Sequence, residues 1–430
     1  MTFTLALSGD SMITRRGVVS NTEKARGLQQ LMQAADVTFT NLEVVATDVE
    51  GYHSSGAFTP TLTAPAHVLE ELHEYGVDVA AFANNHTMNL GIEGMLDTAQ
   101  GLRQRGVACA GVGRTLGEAT MPAYVSTQAG TVAVVACTAT FASGEEATRP
   151  SDTMRGRPGL NPLRHSVRLG VTETQLSALA ETHAELGLDD QINYLREMRF
   201  LPEANGTDHL LFGGTFFETE TPRVESTCAP SDLARICHWV KEAKMRSHIA
   251  VVSIHSHENG STLTEPADFF VDFAHAVIDA GADVVVGHGP HRVRGIEIYN
   301  GRPIFYSLGN FVGQFELMSV LSSHTYDVLG VPDDLAPHEV LGGNCLGFAD
   351  HEEYWRSFVP VLQFDGSELV GIEIHPIGLG FDLPAPVRGR PMLASSEEAD
   401  AVMEDLERLS ARFGTTFIRE RDGATIKLGD

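Results

Sequence analysis

Five short polar motifs in this chain carry the residue types of metal ligation and proton transfer, and each follows an apolar run. Gly9-Asp10 follows FTLAL, Asn41-Leu42-Glu43 follows VTFT, and Asn84-Asn85-His86 follows VDVAAFA. His255-Ser256-His257 follows IAVVSI, and His288-Gly289-Pro290-His291 follows ADVVVG. Carboxylates gathered with imidazoles can hold a divalent cation, or a carboxylate can orient a histidine for general acid/base work. Five such motifs in series predict one site assembled from several segments.

Apolar runs of four to seven residues that stop at a polar side chain read as buried strands delivering that side chain to a sheet edge. In layered α/β folds, ligands gather at such carboxyl ends. Residues 1–140 alternate strand and helix patterns: strands at Phe3–Leu7, Asp36–Thr40, Val107–Gly111 and Thr131–Thr138, with one ending at Ala83. Helices are expected over Pro65–Tyr75 and Gly91–Arg105, each closed by a glycine. The pattern returns with helices at Ser231–Arg246 and Asp268–Ala280 and strands into His255, His288 and Asn310. The tail reads as strands Ser357–Phe364 and Leu369–His375, joined at Asp365-Gly366, then a helix over Ser396–Phe413. Two stretches lack periodicity, about 141–230 and 314–355, and read as irregular insertions over the strand-end site.

The formal charge of −27 argues against nucleic acid and anionic membrane surfaces as partners. No apolar run is long enough to span a bilayer, and a strand begins almost at once, so the expected location is cytoplasmic. The five cysteines lack metal-type spacing; Cys109 and Cys137, in apolar runs, read as buried free thiols. The first insertion carries Arg149, Arg155, Arg157, Arg164 and Arg168. Such a local excess suits recognition of a carboxylate or phosphate, or else a solvated loop paired with nearby acids.

The series GDSM, TNLE, ANNH, the strand-end His255 and the block GADVVVGHGPHRVRGIEIYNGRPIFYSLGNF, spanning residues 9–312, resembles the CapA family of poly-γ-glutamate capsule biosynthesis proteins (PGA_cap). That family resembles the calcineurin-like metallophosphoesterases. The resemblance implies an α/β (α+β) fold, a β-sandwich flanked by helices, as a single catalytic domain over residues 1–430 with C-terminal strands and helix at 356–430. It also implies a metal site at the strand ends. Three departures stand out. The Asp-x-His expected first is Asp10-Ser11-Met12; Asn41 and Glu43 stand where a bridging aspartate is expected; and Gly287 to His291 is one residue longer than Gly-His-x-His. These predict one partly water-coordinated cation rather than a dinuclear clamp.

The expected ligands are Asp10, Glu43, Asn85, His255, His288 and His291, with Ca, Mg, Mn or Zn left open. Asp10 has an alternative use as a helix cap. His255 and His257 point to opposite faces if the strand continues, and His255, ending the apolar run, is preferred. His53, His67, His73, His183 and His238 read as surface residues. The acid/base set is Asp10, His86, His255 and His291; Arg155, Arg157, Arg164 and Asn310 are the expected substrate-binding residues. Retained histidines and carboxylates without a full dinuclear set favour proton transfer at a carbon. Soluble CapA-like proteins include lasso-peptide epimerases, so the resemblance implies a peptide substrate and inversion of one α-carbon. The alternatives are a metallohydrolase of amide or phosphoester bonds and a capsule-assembly factor. The oligomeric state is left open.

Overall fold

Apolar, β-branched runs form the central strands, and Thr131–Thr138, Ile249–His255 and Val284–His288 are buried along almost their whole length. Strands of this kind need cover on both faces. The computed structural model describes residues 2–54, 60–201, 206–342, 347–421 and 423–428 and shows how that cover is supplied. A large mixed sheet runs in the order Phe417–Glu420, Gly423–Ile426, Glu368–Gly378, Arg356–Asp365, Thr2–Met12, Val37–Leu42, Val79–Ala81 and Ala108–Ala110. A six-stranded sheet runs Ile296–Tyr299, Arg302–Phe305, Val284–His288, Ile249–His255, Thr131–Thr138 and Ala123–Ser126.

Alternation along each strand divides the core into layers. Leu5, Leu7, Val37, Phe39 and Val79 of the large sheet pack with Val132, Val134, Val251, Val284 and Val286 of the other. Ala6 and Ala80 face the opposite way, toward Leu28 and Met32 of helix Glu23–Gln33 and Met95 and Leu102 of helix Gly91–Gln104. Beyond the second sheet, Val135, Val252 and Val285 meet Val240 of helix Pro230–Arg246 and Phe270 and Phe273 of helix Asp268–Asp279. The result is the expected sandwich of two sheets flanked by helices.

Parallel pairing brings the motifs to one end of both sheets. Asp10 pairs with Asn41 on one side and Asn310 on the other, and Asn41 pairs with Ala81. In the second sheet His255 pairs with His288 and Thr138. The first strand changes partner as it nears the site. Its N-terminal half pairs with Arg356–Asp365, while Asp10 to Met12 pair with Asn310–Gly313. Gly9 permits that exchange, because a Cβ there would overlap the Gly309 carbonyl oxygen.

Several expectations need correction. Residues 141–230 are not simply irregular: His209–Leu211, Gly214–Glu218, His165–Val171 and Arg223–Cys228 form a separate four-stranded sheet, in that order. Helices Glu173–Glu185 and Leu188–Glu197 accompany it. Its strands are mostly half-buried or exposed and carry no apolar run, which hid them. The chain enters and leaves this insertion at one place, where His165 pairs with Cys228 and the His165 ring stacks on Phe269 at 4.3 Å. The 314–355 stretch contains helices Ser323–Leu329 and Pro337–Gly342. His183 is buried, edge-on to Phe212 and 3.0 Å from Asp189, rather than on the surface. Cys109, half-buried, and Cys137, buried, are free thiols; Cys345 lies outside the described residues. Among the described residues no helix is long and apolar enough to cross a membrane.

Candidate metal centre

Asp10 lies at the middle of the strand ends, fully buried, and its two oxygens face different neighbours. Oδ1 accepts from Asn41 Nδ2 at 2.8 Å and lies 3.6 Å from His288 Nδ1 and 3.9 Å from His255 Nδ1. Oδ2 accepts from the Gly289 amide at 3.0 Å and lies 3.5 Å from His291 Nδ1. Gly289 has φ +119°, and a Cβ there would come within 3.0 Å of the Ser256 backbone nitrogen, so the turn after His288 requires a glycine.

The outer hydrogen bonds of His255 and His288 decide which ring atoms face inward. His288 Nε2 is 2.7 Å from Ser253 Oγ, and His255 Nε2 is 2.8 Å from Asn85 Oδ1. When those nitrogens donate outward, both Nδ1 atoms, 3.0 Å apart, turn lone pairs toward Asp10 Oδ1. The three atoms are thus separated by 3.0, 3.6 and 3.9 Å. A tetrahedral ion with bonds of about 2.0 Å needs ligand atoms roughly 3.3 Å apart, so the set fits a cation.

Glu43 supplies an independent sign. It is fully buried, and neither carboxyl oxygen has a hydrogen-bond partner. Oε1 lies 3.6 Å from His255 Nε2 and 3.9 Å from His86 Nε2; Oε2 lies 3.7 Å from His291 Nδ1. A carboxylate left this way costs several kcal/mol unless it is protonated or meets a cation. Burial, then the charge of Asp10, hold its carboxyl well above the ordinary range. Burial also raises Asp10, but the hydrogen bond and charge of His291, and then His288 and His255, outweigh it and hold Asp10 low. Burial pushes His86 and His288 down to about 4 and His257 to about 3, and holds His255 well below its usual value. Neutral imidazoles are the form that ligates metal.

Two further histidines stand at the rim. His86 Nδ1 is 2.9 Å from Asn89 Oδ1, which also accepts from the Leu62 amide, so Nδ1 carries the proton and Nε2 the lone pair. His291 adopts φ +60°, a left-handed conformation that costs a non-glycine residue about 1 kcal/mol or more. Its Nδ1 lies 2.9 Å from Asn310 Oδ1, while Asn310 Nδ2 donates to the Tyr354 carbonyl. That arrangement puts the proton on His291 Nδ1, which sets this nitrogen apart from the Nδ1 atoms of His255 and His288 that turn lone pairs toward Asp10. His257 is half-buried, and its ring lies 5.0 Å from His255 and 5.3 Å from His291. The strand ends at His255, so strict alternation does not carry His257 away from the site.

Three overlapping groups have donor atoms within 4.8 Å of one another: Asp10, His255 and His288; Glu43, His255 and His257; and Asp10, Glu43 and His291. Asn85, also among the expected ligands, has its Oδ1 2.8 Å from His255 Nε2, the nitrogen that Glu43 Oε1 approaches to 3.6 Å. The expected substrate contacts fare differently. Asn310 has both ends of its amide engaged, by His291 and Tyr354. Arg164 is held by Asp232 at 2.8 and 2.9 Å and pins the neck of the insertion. Arg155 is exposed and Arg157 half-buried. Ser253 and Asn89 were not anticipated; Ser253 was legible in principle, since it lies two residues before His255 on the same strand face.

The family model described as bacterial capsule synthesis protein PGA_cap matches residues 4–314. Protein y4sH of Sinorhizobium fredii is 32% identical over 444 residues, covering 99% of this chain and 93% of that protein. A probable polyglutamine synthesis accessory protein of Mycobacterium tuberculosis is 24% identical over 80% of this chain and 65% of its own length. The PGA biosynthesis protein CapA of Bacillus subtilis is 45% identical over 83 residues, 19% of this chain and 21% of that protein.

Proposed function

Since the chain belongs to the bacterial capsule synthesis protein PGA_cap family, we propose that its buried Asp/Glu/His cluster is a divalent-cation centre serving proton transfer at the α-carbon of a peptide, inverting one residue. The observation that carries the cation is Glu43, whose two buried oxygens have no hydrogen-bond partner. Asp10, His255 and His288 would hold it, with Glu43 beside them. Once bound, the ion supplies positive charge against the enolate-like charge that develops on the substrate carbonyl.

The remaining work falls to the chain. His86, held neutral by burial and carrying its proton on Nδ1, takes the α-proton at Nε2. The electron pair of the C–H bond passes onto the carbonyl. His291, fixed through Nδ1 by Asn310, returns a proton from Nε2 to the opposite face of the carbon. One histidine leaves the cycle protonated and the other neutral, and exchange with solvent resets both; each is slightly exposed. Asn85 and Ser253 hold the ring planes of His255 and His288, so little reorganisation accompanies the charge shift.

The overlap of donor groups favours a second reading, because Asp10 with His255 and His288, and Glu43 with His255 and His257, are two sets that could each hold a cation. Two cations would suit hydrolysis of an amide or phosphoester. Incubating the metal-replete protein in D2O with peptides that it demonstrably binds separates the two. A gain of one mass unit with a D-residue, abolished by His86→Gln or His291→Gln, supports epimerisation. A new amine or free phosphate moves the assignment to hydrolysis. Binding with neither outcome overturns both and leaves a role in capsule synthesis, in keeping with the family's description.

A further inference from the structure

Beyond Asp10 the first strand runs on to Met12, pairs there with Gly313, and turns into Thr14 and Arg15. The turn is fastened by Gln314, whose Oε1 accepts from the amides of Thr14 and Arg15 at 3.3 and 3.2 Å. The other end of that side chain, Nε2, is buried and has no partner. Arg15 donates through Nη2 to the carbonyls of Ala385, Pro386 and Arg388 at 3.1, 3.4 and 3.2 Å. Its Nη1 and Nε are buried without a partner, and so is Nε of Arg390. Among the described residues, Arg390 Nη2 donates to the Pro386 carbonyl at 3.4 Å, the same oxygen that Arg15 Nη2 reaches.

The neighbouring arginines are already neutralised. Arg388 is bidentate on buried Glu316 and lies over the Trp355 ring at 4.6 Å; Arg16 pairs with Glu70 at 3.5 Å. Among the described residues no carboxylate is paired with Arg15 or Arg390. Burial and then the charge of Arg390 work against the Arg15 cation, while Glu316 favours it. Two close, unpaired guanidiniums in a chain of formal charge −27 are costly unless an anion joins them. The orphaned donors of Arg15 and Gln314 supply the hydrogen bonds that an anion needs.

We propose that Arg15, Arg390 and the Gln314 amide form an oxyanion site that takes a carboxylate or phosphate group. Arg15 follows Asp10 by five residues and Gln314 follows Asn310 by four, so the site lies at the same end of the sheet as the metal cluster. Its use for a peptide's terminal carboxylate rests on the function proposed above; oxyanion binding itself does not.

Titration calorimetry on the intact, metal-replete protein tests this with three probes: inorganic phosphate, a short peptide acid, and the same peptide as its C-terminal amide. The expected result is that phosphate or the acid binds and the amide binds about tenfold or more weaker. Whichever anion binds better identifies the source. Arg390→Gln and Arg15→Lys should each weaken binding about tenfold or more, with metal content and melting temperature retained in Arg390→Gln. Arg15→Lys keeps the charge and loses the fork, so its loss reports oxyanion geometry rather than net charge. Absence of anion binding, equal binding of acid and amide without phosphate binding, or unchanged binding in both variants overturns the site. Arginine-dependent binding without α-carbon exchange removes the proposed function and leaves the site standing; exchange without such binding does the reverse.

Discussion

Ser253 shows what a single hydroxyl can control. Its Oγ, 2.7 Å from His288 Nε2, fixes which ring nitrogen faces Asp10. Ser253→Ala should lower divalent-metal affinity by roughly 10- to 100-fold with little change in far-UV circular dichroism. Undiminished affinity by metal-competition titration would show that His288 is not a ligand. Glu43 makes a pH prediction. Burial and the charge of Asp10 hold its carboxyl well above the ordinary glutamate range, so the metal-free protein keeps it protonated at pH values where an exposed glutamate is ionised. A cation must displace that proton, and affinity should therefore climb with pH. Calorimetry in buffers of different ionisation enthalpy should detect the proton released, and Glu43→Gln should abolish it. Most of these residues were legible, because an Asp, Glu or His ending an apolar run has few structural uses. Asn310 was legible as a site residue but not in its geometry, since its partner Tyr354 lies 44 residues further on.

At the scale of the element, strand ends were easier to read than strand exchange. Thr131–Thr138 has its expected bounds, and Gly76 ends the helix after Pro65 in the left-handed conformation anticipated for a capping glycine. The alternation argument failed at His257 because the strand stops two residues earlier. The partner change at Gly9 left no mark in sequence beyond the glycine itself. Gly9→Ala drives a methyl group into the Gly309 carbonyl and should cost about 3 kcal/mol or more of stability, read from denaturant unfolding. It should also weaken metal binding, because the displaced strand carries Asp10; an unchanged unfolding midpoint would refute the close approach. The inserted sheet escaped the sequence reading because its strands, such as HSVRLGV, mix charge and apolar residues on solvated faces.

For the whole molecule, the neck at His165 and Cys228 makes the insertion separable. Replacing residues 167–225 by a linker of about three residues should leave a folded protein with full metal content, since the cluster takes no residue from this segment. Loss of cooperative unfolding would show that the inserted sheet supports the core. The buried histidines set the acid limit of the metal-free protein. His86 and His288 are depressed to about 4 in the fold, against 6.5 when exposed, so the unfolded chain binds protons that the native chain refuses. Their contribution to stability is present above pH 6.5 and is lost as pH falls toward 4. The slope should be about 1.4 kcal/mol per pH unit for each histidine, measurable by urea unfolding across that window.

The metal cluster draws its carboxylates from one sheet and His255 and His288 from the other. An ion seated there acts as a rivet across the sandwich, and its binding energy becomes resistance to opening. The melting temperature should rise with the logarithm of free cation concentration, and proteolysis should accelerate on chelation. With a cation bound there, its supply would set how long the chain survives. Without the ion the two sheets would keep only their shared apolar core as fastening, and proteases would find the seam between them easier to open.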